Sequence, residues 1–400
     1  MIQAPLASAR AALLAVILLA ATVAATPARQ GHGILPEATP EADPGAWSVV
    51  ERQELEVDGE FVTLSPDGQW IAGLGPDFEL CVWEVATLAA TCAEQEFPIE
   101  ADSIRWAPDS TAVAWSVHAL RYFYDSDIFL MELPGGDVVD LTDDGFADSL
   151  PLGSEDDVTF PVDIMPAWTP DSESLVFVRS VWSTTDDDET IPTDLMSIAR
   201  AGGEPTEVAL VRDDFPWAVF FPIFVLDDGS LLYSVSVNDL SDRGNGIWLM
   251  DPAGESTQLL GGADSDTYPG VAIVDVRESG DGLLISGYSA YLAGRYGVEA
   301  NPSFLLDTAT GTLTPLGRDA DTTRPATPVR FSPDETATVG VEWRADEPHL
   351  IVRDETGASD LGAIEPSHGM LSRGYDWATS NVILVPHLSG GGILLTVALD

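Results

Sequence analysis

Basic side chains are the scarcest class in this sequence. Its 400 residues include no lysine and 17 arginines against 66 aspartates and glutamates, and the formal net charge is −49 at pH 7. Such a charge repels phosphate backbones and anionic membrane surfaces, so we expect no nucleic-acid partner. Solubility is the simplest explanation, including in salty surroundings where counterions screen the self-repulsion. Attraction to cations or basic partners is the alternative.

The usual signatures of catalysis are also missing. The histidines are few and scattered, and none belongs to a His-Glu-x-x-His motif; they are His32, His118, His349, His368 and His387. No Gly-x-Ser-x-Gly turn is present, as an α/β-hydrolase would need for its serine. The sequence leaves open whether the protein is an enzyme, and these absences favour a non-enzymatic role without catalytic residues.

Cysteine occurs only twice, at Cys81 and Cys92. The two lie in one predicted hairpin, with Ala86 and Thr87 midway between them. If those two residues form the turn, the cysteines face each other across an antiparallel pair and are close enough for a disulfide. Two packed free thiols are the alternative, and a metal site is disfavoured because no histidine or further cysteine lies nearby.

Long apolar runs are confined to the N-terminus. After Arg10, residues 11–25 are apolar except for Thr22 and end in small residues, which is typical of a secretory signal peptide. The run is shorter than the roughly 20 residues of a membrane span. We therefore predict a signal peptide over 1–25, a disordered Pro/Ala/Glu-rich tether over 26–46, and export to the periplasm, cell surface or exterior without an integral membrane span.

A turn that recurs seven times is the strongest positive feature. Its clearest copy is Ser65-Pro66-Asp67-Gly68, which leads into the apolar strand Trp70-Ile71-Ala72. Serine, proline and glycine suit successive positions of a tight turn. The other copies are centred on Asp109, Asp171, Asp228, Asp281, Asp334 and Ser380. Repeats of roughly 40 to 50 residues with four strands each are typical of propeller blades.

These repeats predict an all-β, seven-bladed β-propeller of four-stranded antiparallel blades over residues 47–400. The seventh blade lacks an outermost strand, because its third strand runs to Leu399. Ser48 to Val57 precede the first turn and can supply that strand, which would close the ring and remove exposed edges. We expect a monomer.

The repeat resembles the TolB-type propeller repeat, a relative of the WD repeats. The Ser-Pro-Asp-Gly turn, the strand Ile128 to Leu133 and the ending Gly135-Gly136 to Leu141-Thr142 carry the resemblance, which spans about residues 58–400. The resemblance implies the propeller fold and indicates almost nothing about activity. Similar propellers precede the hydrolase domain of prolyl oligopeptidase relatives, and we expect no such domain here.

All the long insertions lie in second-to-third turns and blade linkers, which share one face of a propeller; we call it the insertion face. Loops longer than the scaffold requires concentrate binding residues. The aromatic and arginine residues there are candidates for contact with a protein, peptide or glycan. They are Arg121, Tyr122, Tyr124, Trp182, Trp217, Tyr288, Tyr291, Arg295 and Trp343.

Runs of acidic residues in the same loops, such as Asp125-Ser126-Asp127 and Asp186 to Glu189, offer some of the oxygens that calcium requires. None matches a complete calcium loop, so we expect no cofactor, with calcium as a weak alternative. The favoured function is an exported, non-enzymatic binding or scaffold module. The alternative is a propeller enzyme, a hydrolase or lyase acting on sugars or lactones through a metal or acid–base site at the central channel, near His118 and His387.

Overall fold

A computed structural model describes most of the chain from residue 46 onwards. The described residues are 46–94, 98–117, 126–145, 159–183, 193–212, 219–236, 244–261, 271–277, 280–287, 303–316, 330–344, 347–364, 375–379, 381–387 and 390–399. Side chains are not described at some strand positions within these ranges, including Trp182 and Trp343.

The strands form seven four-stranded antiparallel sheets, which are the blades of a propeller, and the predicted fold is confirmed. The first three blades are β2 (Glu60–Leu64), β3 (Trp70–Leu74), β4 (Leu80–Glu84) and β5 (Ala90–Cys92); β6 (Arg105–Trp106), β7 (Ala112–Ser116), β8 (Ile128–Glu132) and β9 (Val138–Asp140); and β10 (Thr159–Trp168), β11 (Ser174–Ser183), β12 (Thr193–Ala199) and β13 (Thr206–Arg212).

Blades 4 to 6 repeat the pattern of four strands in chain order. They are β14 (Val219–Val225), β15 (Leu231–Ser236), β16 (Gly246–Met250) and β17 (Ser256–Gly261); β18 (Val271–Val276), β19 (Gly282–Gly287), β20 (Ser303–Asp307) and β21 (Leu313–Leu316); and β22 (Arg330–Phe331), β23 (Thr338–Arg344), β24 (Glu347–Asp354) and β25 (Gly357–Ala363). One 3-10 turn at Ala101–Ser103 precedes β6, and every other regular element of the described ranges is a strand.

The seventh blade joins the two ends of the propeller. It consists of β26 (Asp376–Trp377), β27 (Val382–Pro386), β28 (Gly392–Leu399) and, outermost, β1 (Trp47–Leu55). β1 runs antiparallel to β28, with Trp47 opposite Leu399 and Leu55 opposite Gly392. The predicted closure by the N-terminal strand is confirmed, because this pairing covers the edge that β28 would otherwise expose.

The repeated turns join the first and second strands of each blade and also tie neighbouring blades together. In blade 1 the Gly68 N–H donates to the Ser65 carbonyl at 2.9 Å, and Gly68 has a φ of 75°, which glycine adopts without strain. The corresponding Ser110 of blade 2 also has a positive φ. Its Oγ accepts the Asp67 N–H of blade 1 at 3.0 Å.

Apolar clusters fill the spaces between blades. Between blades 2 and 3, for example, Ala112 and Ala114 of β7 pack with Leu175 and Phe177 of β11. The tryptophans beside the turns, Trp70, Trp106, Trp168 and Trp377, pack in these clusters. The Trp168 Nε1–H also donates to the Arg105 carbonyl of the preceding blade at 3.0 Å. Each blade therefore depends on its neighbours for burial.

Cys81 and Cys92 face each other across β4 and β5 and form the predicted disulfide. Among the described residues, no helix has the length and apolar character needed to cross a membrane.

Candidate functional site

Most of the sequence-predicted binding residues fall outside the described residues. These are Arg121, Tyr122, Tyr124, Trp217, Tyr288, Tyr291 and Arg295. Trp182 lies on β11 and Trp343 on β23, where only their backbones are described; Trp182 pairs with Phe160, and Trp343 pairs with Pro348. The assignment of these residues to binding stays a prediction.

The innermost strands, which line the central channel of a propeller, carry acidic groups in blades 5 and 7. Asp275 of β18 accepts the Phe331 N–H at 2.9 Å and the Val276 N–H at 3.0 Å. Asp376 of β26 accepts the Leu64 N–H at 2.8 Å. Burial raises the pKa of Asp275, against the opposing charge of Arg330. Because these carboxylates hold one blade to the next, their main role is structural.

A second group of charges lies between blades 2 and 3, on the half of the interface nearer the insertion face. At its centre Arg179 of β11 donates two parallel hydrogen bonds to Asp163 of β10. Nε donates to Oδ1 at 2.7 Å, and Nη2 donates to Oδ2 at 2.5 Å. Asp163 is 1% exposed and Arg179 is 20% exposed. The cross-strand pairing of these two residues places both side chains on the side of blade 3 that faces blade 2.

Three further carboxylates act on the charges of this ion pair, and with it they form what we call the Arg179 cluster. They are Asp127, Asp144 and Asp194. Asp127 immediately precedes β8, Asp144 lies in the linker to blade 3, and Asp194 pairs across the sheet with Arg179. The cluster therefore holds one cation among four acidic side chains. Asp140, which ends β9, lies beside the cluster: it pairs with Phe129, on the face of blade 2 towards blade 1, and it interacts with Asp144.

Thr142 connects the acidic groups of the two blades. Its buried hydroxyl donates to Asp127 Oδ1 at 3.0 Å and accepts the Ile128 N–H at 2.9 Å. Its own N–H donates to Asp140 Oδ1 at 3.2 Å. A hydrogen bond from the same side chain also stabilises the ionised form of Asp163 and so acts to lower its pKa. The hydrogen bonds of Thr142 thereby fix the start of β8 and the end of β9 around the Asp163–Arg179 pair.

Three carboxyl groups in and beside the Arg179 cluster, those of Asp140, Asp163 and Asp194, have raised pKa values. Burial, assisted by the charges of Asp143 and Asp144, raises the pKa of Asp140 from 3.8 to about 6. Burial also raises the pKa of Asp163, where Arg179 opposes it, and that of Asp194, where the charge of Glu207 adds to it. A carboxyl that stays partly protonated near neutral pH can donate a proton in catalysis.

Sequence reasoning recognised only fragments of this cluster. It noted Asp127 as part of an acidic run and assigned that run to calcium, and it did not identify Asp140, Asp163, Arg179 or Asp194. One local signal was present: Arg179 continues the alternation of Leu175 and Phe177, both fully buried. An arginine on the buried face of a strand requires a paired carboxylate.

Comparison with known proteins identifies the fold of the chain, but it identifies no sequence family. No family model and no curated protein matches the chain, whereas 1038 chains of solved structures do. One is an oligogalacturonate lyase in complex with manganese, with 14% identity and a TM-score of 0.56 over 86% of this chain and 90% of that one. Another oligogalacturonate lyase, from Vibrio parahaemolyticus, has 12% identity and a TM-score of 0.54 over 88% and 98%.

An acylaminoacyl peptidase matches at 12% identity with a TM-score of 0.50, over 84% of this chain and 51% of the peptidase. The chain thus corresponds to about half of that enzyme. At such identities the likeness shows the propeller fold alone.

Two predictions are wrong in the light of these neighbours. The favoured function, a non-enzymatic binding or scaffold module, is overturned because the two lyases are propeller enzymes that match most of the chain. They support the alternative, a propeller hydrolase or lyase. The expectation of no cofactor is overturned because one of these lyases was solved in complex with manganese.

The residues described here do not fit manganese, which binds carboxylate and imidazole ligands. Within the described ranges, the one group of three potential ligands whose donor atoms lie within 4.8 Å of one another is Glu79, Cys81 and Cys92. Its two sulfurs are bonded to each other in the disulfide. His118 and His368 fall outside the described residues, and no catalytic step is assigned to a metal.

Proposed function

We propose that this protein is an exported propeller enzyme that cleaves a saccharide, as a hydrolase or a lyase, with Asp140 and the neighbouring Arg179 cluster as its acid–base site. The observation that carries the proposal is a carboxyl whose pKa is raised to about 6, that of Asp140, beside further carboxylates on the insertion face. Groups perturbed in this way concentrate at functional sites. The fold likeness to two saccharide lyases supports the same class of activity.

Asp140 is the proposed general acid. In either reaction the C–O bond to the leaving glycosidic oxygen breaks, and the protonated carboxyl gives that oxygen its proton. In a hydrolase, water then adds to the carbon; in a lyase, a base removes a proton from the neighbouring carbon. Asp194, across the sheet from Arg179, is the proposed base, and the Asp163–Arg179 pair holds the site in place.

Three further features belong to this proposal. Residues 1–25 are a signal peptide, residues 26–46 a tether, and residues 47–400 a monomeric, TolB-like propeller domain. The disulfide between Cys81 and Cys92 supports an oxidising location outside the cytosol. The aromatic residues of the insertion face, Trp182 among them, are proposed to contact the saccharide.

The test is an activity screen of the purified mature protein against neutral, acidic and amino-bearing polysaccharides. New reducing ends report either reaction, and an unsaturated product identifies a lyase. Asp140→Asn should lower the rate by about 100-fold or more, since general acid catalysis contributes roughly that factor. Asp58→Asn removes an exposed charge outside the cluster and should leave the rate unchanged. Cleavage of none of the polysaccharides, or full activity in Asp140→Asn, would refute the proposal.

A further inference from the structure

Phe78 is an exposed aromatic residue in a backbone conformation that disfavours it. Its side chain is 56% exposed. It closes the turn between β3 and β4, where its N–H donates to the Gly75 carbonyl at 3.0 Å. Its φ of 64° lies in the left-handed region, which glycine adopts without strain and a bulky residue rarely adopts. Water and backbone conformation therefore both disfavour phenylalanine at this position.

A left-handed residue in the next turn of the same blade shows how such strain is usually offset. Leu88 lies between β4 and β5 with a φ of 55°, and its side chain packs against the apolar cluster between blades 7 and 1. Phe78 belongs to none of the apolar clusters that the described residues form. Backbone strain that packing does not offset concentrates at functional sites.

A second phenylalanine repeats this combination at the same end of blade 1. Phe61 of β2 has a φ of 51° and is 41% exposed. It lies in the bulge between Glu60 and Thr63, and Glu60 pairs with Leu74, the last residue of β3. Because β2 is the innermost strand of its blade, Phe61 lies nearer the channel and Phe78 further out. Both lie at the insertion-face end of blade 1.

Hydrogen bonds hold the turn that carries Phe78. The Gly75 N–H donates to the Glu79 carbonyl at 2.8 Å, and the Asp77 N–H donates to Glu79 Oε2 at 2.8 Å. The Phe78 carbonyl accepts the Ile99 N–H at 3.3 Å, from the segment that leads into blade 2. The ring is thus presented on a fixed support, which lowers the entropic cost of binding a ligand.

The contact with Ile99 also locates Phe78 relative to the proposed acid. Ile99 forms a bridge to Val117, which directly follows β7 of blade 2, so Phe78 lies at the boundary between blades 1 and 2. Asp140 lies on the face of blade 2 towards blade 1, at the insertion-face end of β9. Phe78 and Asp140 therefore border the same interface on the insertion face.

Acidic residues beside the two rings restrict the charge of a ligand. Asp77 and Glu79 flank Phe78 in the sequence, and Glu60 precedes Phe61. Carboxylates repel an anionic ligand, whereas an aromatic ring packs against apolar surface. An uncharged sugar ring fits this arrangement, because its faces carry C–H groups and its edge carries hydroxyls.

We propose that Phe78 and Phe61 form a subsite that positions uncharged pyranose rings of the substrate for Asp140, with Phe78 as the main platform. This inference rests on the proposed function and names the substrate class, a neutral oligosaccharide. Both phenylalanines are positioning residues, because they stack on sugar rings and carry no step of the reaction. A polymer of uronic acids is repelled at the same place by the neighbouring carboxylates.

Calorimetric binding of four hexasaccharides to the mature protein tests the inference. Three are neutral and consist of glucose, xylose or mannose, and the fourth consists of galacturonate. We expect at least one neutral hexasaccharide to bind about 10-fold or more tightly than the galacturonate hexasaccharide, which the carboxylates repel. Phe78→Gly should weaken that binding about 10-fold, the order of one lost aromatic stacking contact. Phe78→Tyr keeps the ring and should bind like the wild type.

Two further measurements on Phe78→Gly separate a positioning role from a structural one. Glycine relieves the left-handed backbone, so the Tm should stay unchanged or rise while binding weakens. With the polysaccharide cleaved in the activity screen, the variant should raise KM about 10-fold and leave kcat within about 2-fold, because stacking is equal in the bound substrate and the transition state.

Two controls match this variant. Asn381→Gly changes another left-handed residue, with a φ of 58°, in the turn of blade 7 on the opposite face. Val50→Ala shortens an apolar side chain that is 60% exposed on β1. Both variants should leave binding and KM unchanged.

The outcomes separate the inference from the proposed function. Equal or tighter binding of the galacturonate hexasaccharide, or unchanged affinity and KM in Phe78→Gly, would overturn the inference and leave a saccharide enzyme standing. A Phe78→Gly protein that loses both Tm and binding would also overturn it, because the ring would then belong to the fold. If no hexasaccharide binds but a polysaccharide is cleaved, the KM of Phe78→Gly decides. Failure to bind any hexasaccharide, together with failure to cleave any polysaccharide in the screen, would overturn both.

Discussion

The proposed chemistry of this propeller depends on a few charged side chains that are held away from water. Asp140 and Asp163 have raised pKa values because they are buried, and Asp163 stays compatible with the fold because Arg179 pairs with it. Neither effect is visible in the sequence, since burial exists only in the folded chain and the Asp163–Arg179 pair lies where blades 2 and 3 pack together.

Asp140 should make stability depend on pH. Its pKa is about 6 in the folded state and near 3.8 when unfolded. Between pH 3.8 and pH 6 the folded protein therefore keeps a proton on Asp140 that the unfolded chain has lost. Its contribution to stability is therefore lost as the pH rises through that window. Asp140→Asn keeps the acceptor for the Thr142 N–H and should stabilise the protein above pH 6 by on the order of 1 kcal/mol, allowing for solvent screening. Denaturant titrations at pH 4 and pH 8 check this; an equal gain at both would contradict it.

Removing one partner of the Asp163–Arg179 ion pair should strongly destabilise the fold. Arg179→Met leaves a nearly fully buried carboxylate without its partner and should destabilise the fold by about 3–5 kcal/mol. The double variant Asp163→Leu, Arg179→Met removes both charges and should recover much of that loss. Urea unfolding of the three proteins measures the difference, and a double variant as unstable as the single one would argue against charge burial as the cause.

At the scale of elements, the sequence predicts the turns and strands well, but it does not reveal the Arg179 cluster. The turn at Ser65 to Gly68 is encoded in adjacent residues, and the closing strand β1 was predicted because blade 7 lacked a fourth strand. The Arg179 cluster extends from Asp127 to Asp194 and combines parts of two blades. No contiguous motif encodes it, because the register between blades is set by tertiary packing.

The disulfide should stabilise the outer edge of blade 1. It joins β4 to the short outermost strand β5 across 11 positions of sequence. Replacing both Cys81 and Cys92 with serine should lower the free energy of unfolding by about 2–3 kcal/mol, since a short closed loop stabilises less than a long one. Chemical denaturation with and without reductant tests this, and the serine variant should be insensitive to the reductant.

At the scale of the whole molecule, the ring is closed by residues from opposite ends of the chain. Besides the β1–β28 pairing, the Trp47 indole Nε1–H donates to Asp354 of blade 6 at 2.8 Å, and Trp47 packs edge-on against Trp377. These contacts connect the N-terminal strand to two blades. Closure by β1 therefore stabilises blade 7 and its interface with blade 6.

Removal of residues 46–57 should destabilise the entire ring. Without β1, β28 becomes an exposed edge and the apolar cluster around Trp47 and Tyr375 opens. We expect a loss of at least 10 °C in Tm and a tendency to aggregate, as measured by calorimetry and light scattering. An unchanged melt would mean that the pairing contributes little to closure.

The central claim is that Asp140, beside the Arg179 cluster, is the proton donor of an acid–base site. The pH dependence of kcat for the cleaved saccharide tests this most directly. The account predicts that activity declines as the pH rises through about 6, where Asp140 loses its proton, and that Asp140→Asn abolishes this decline together with most of the rate. A decline near pH 6 that persists unchanged in Asp140→Asn would contradict it.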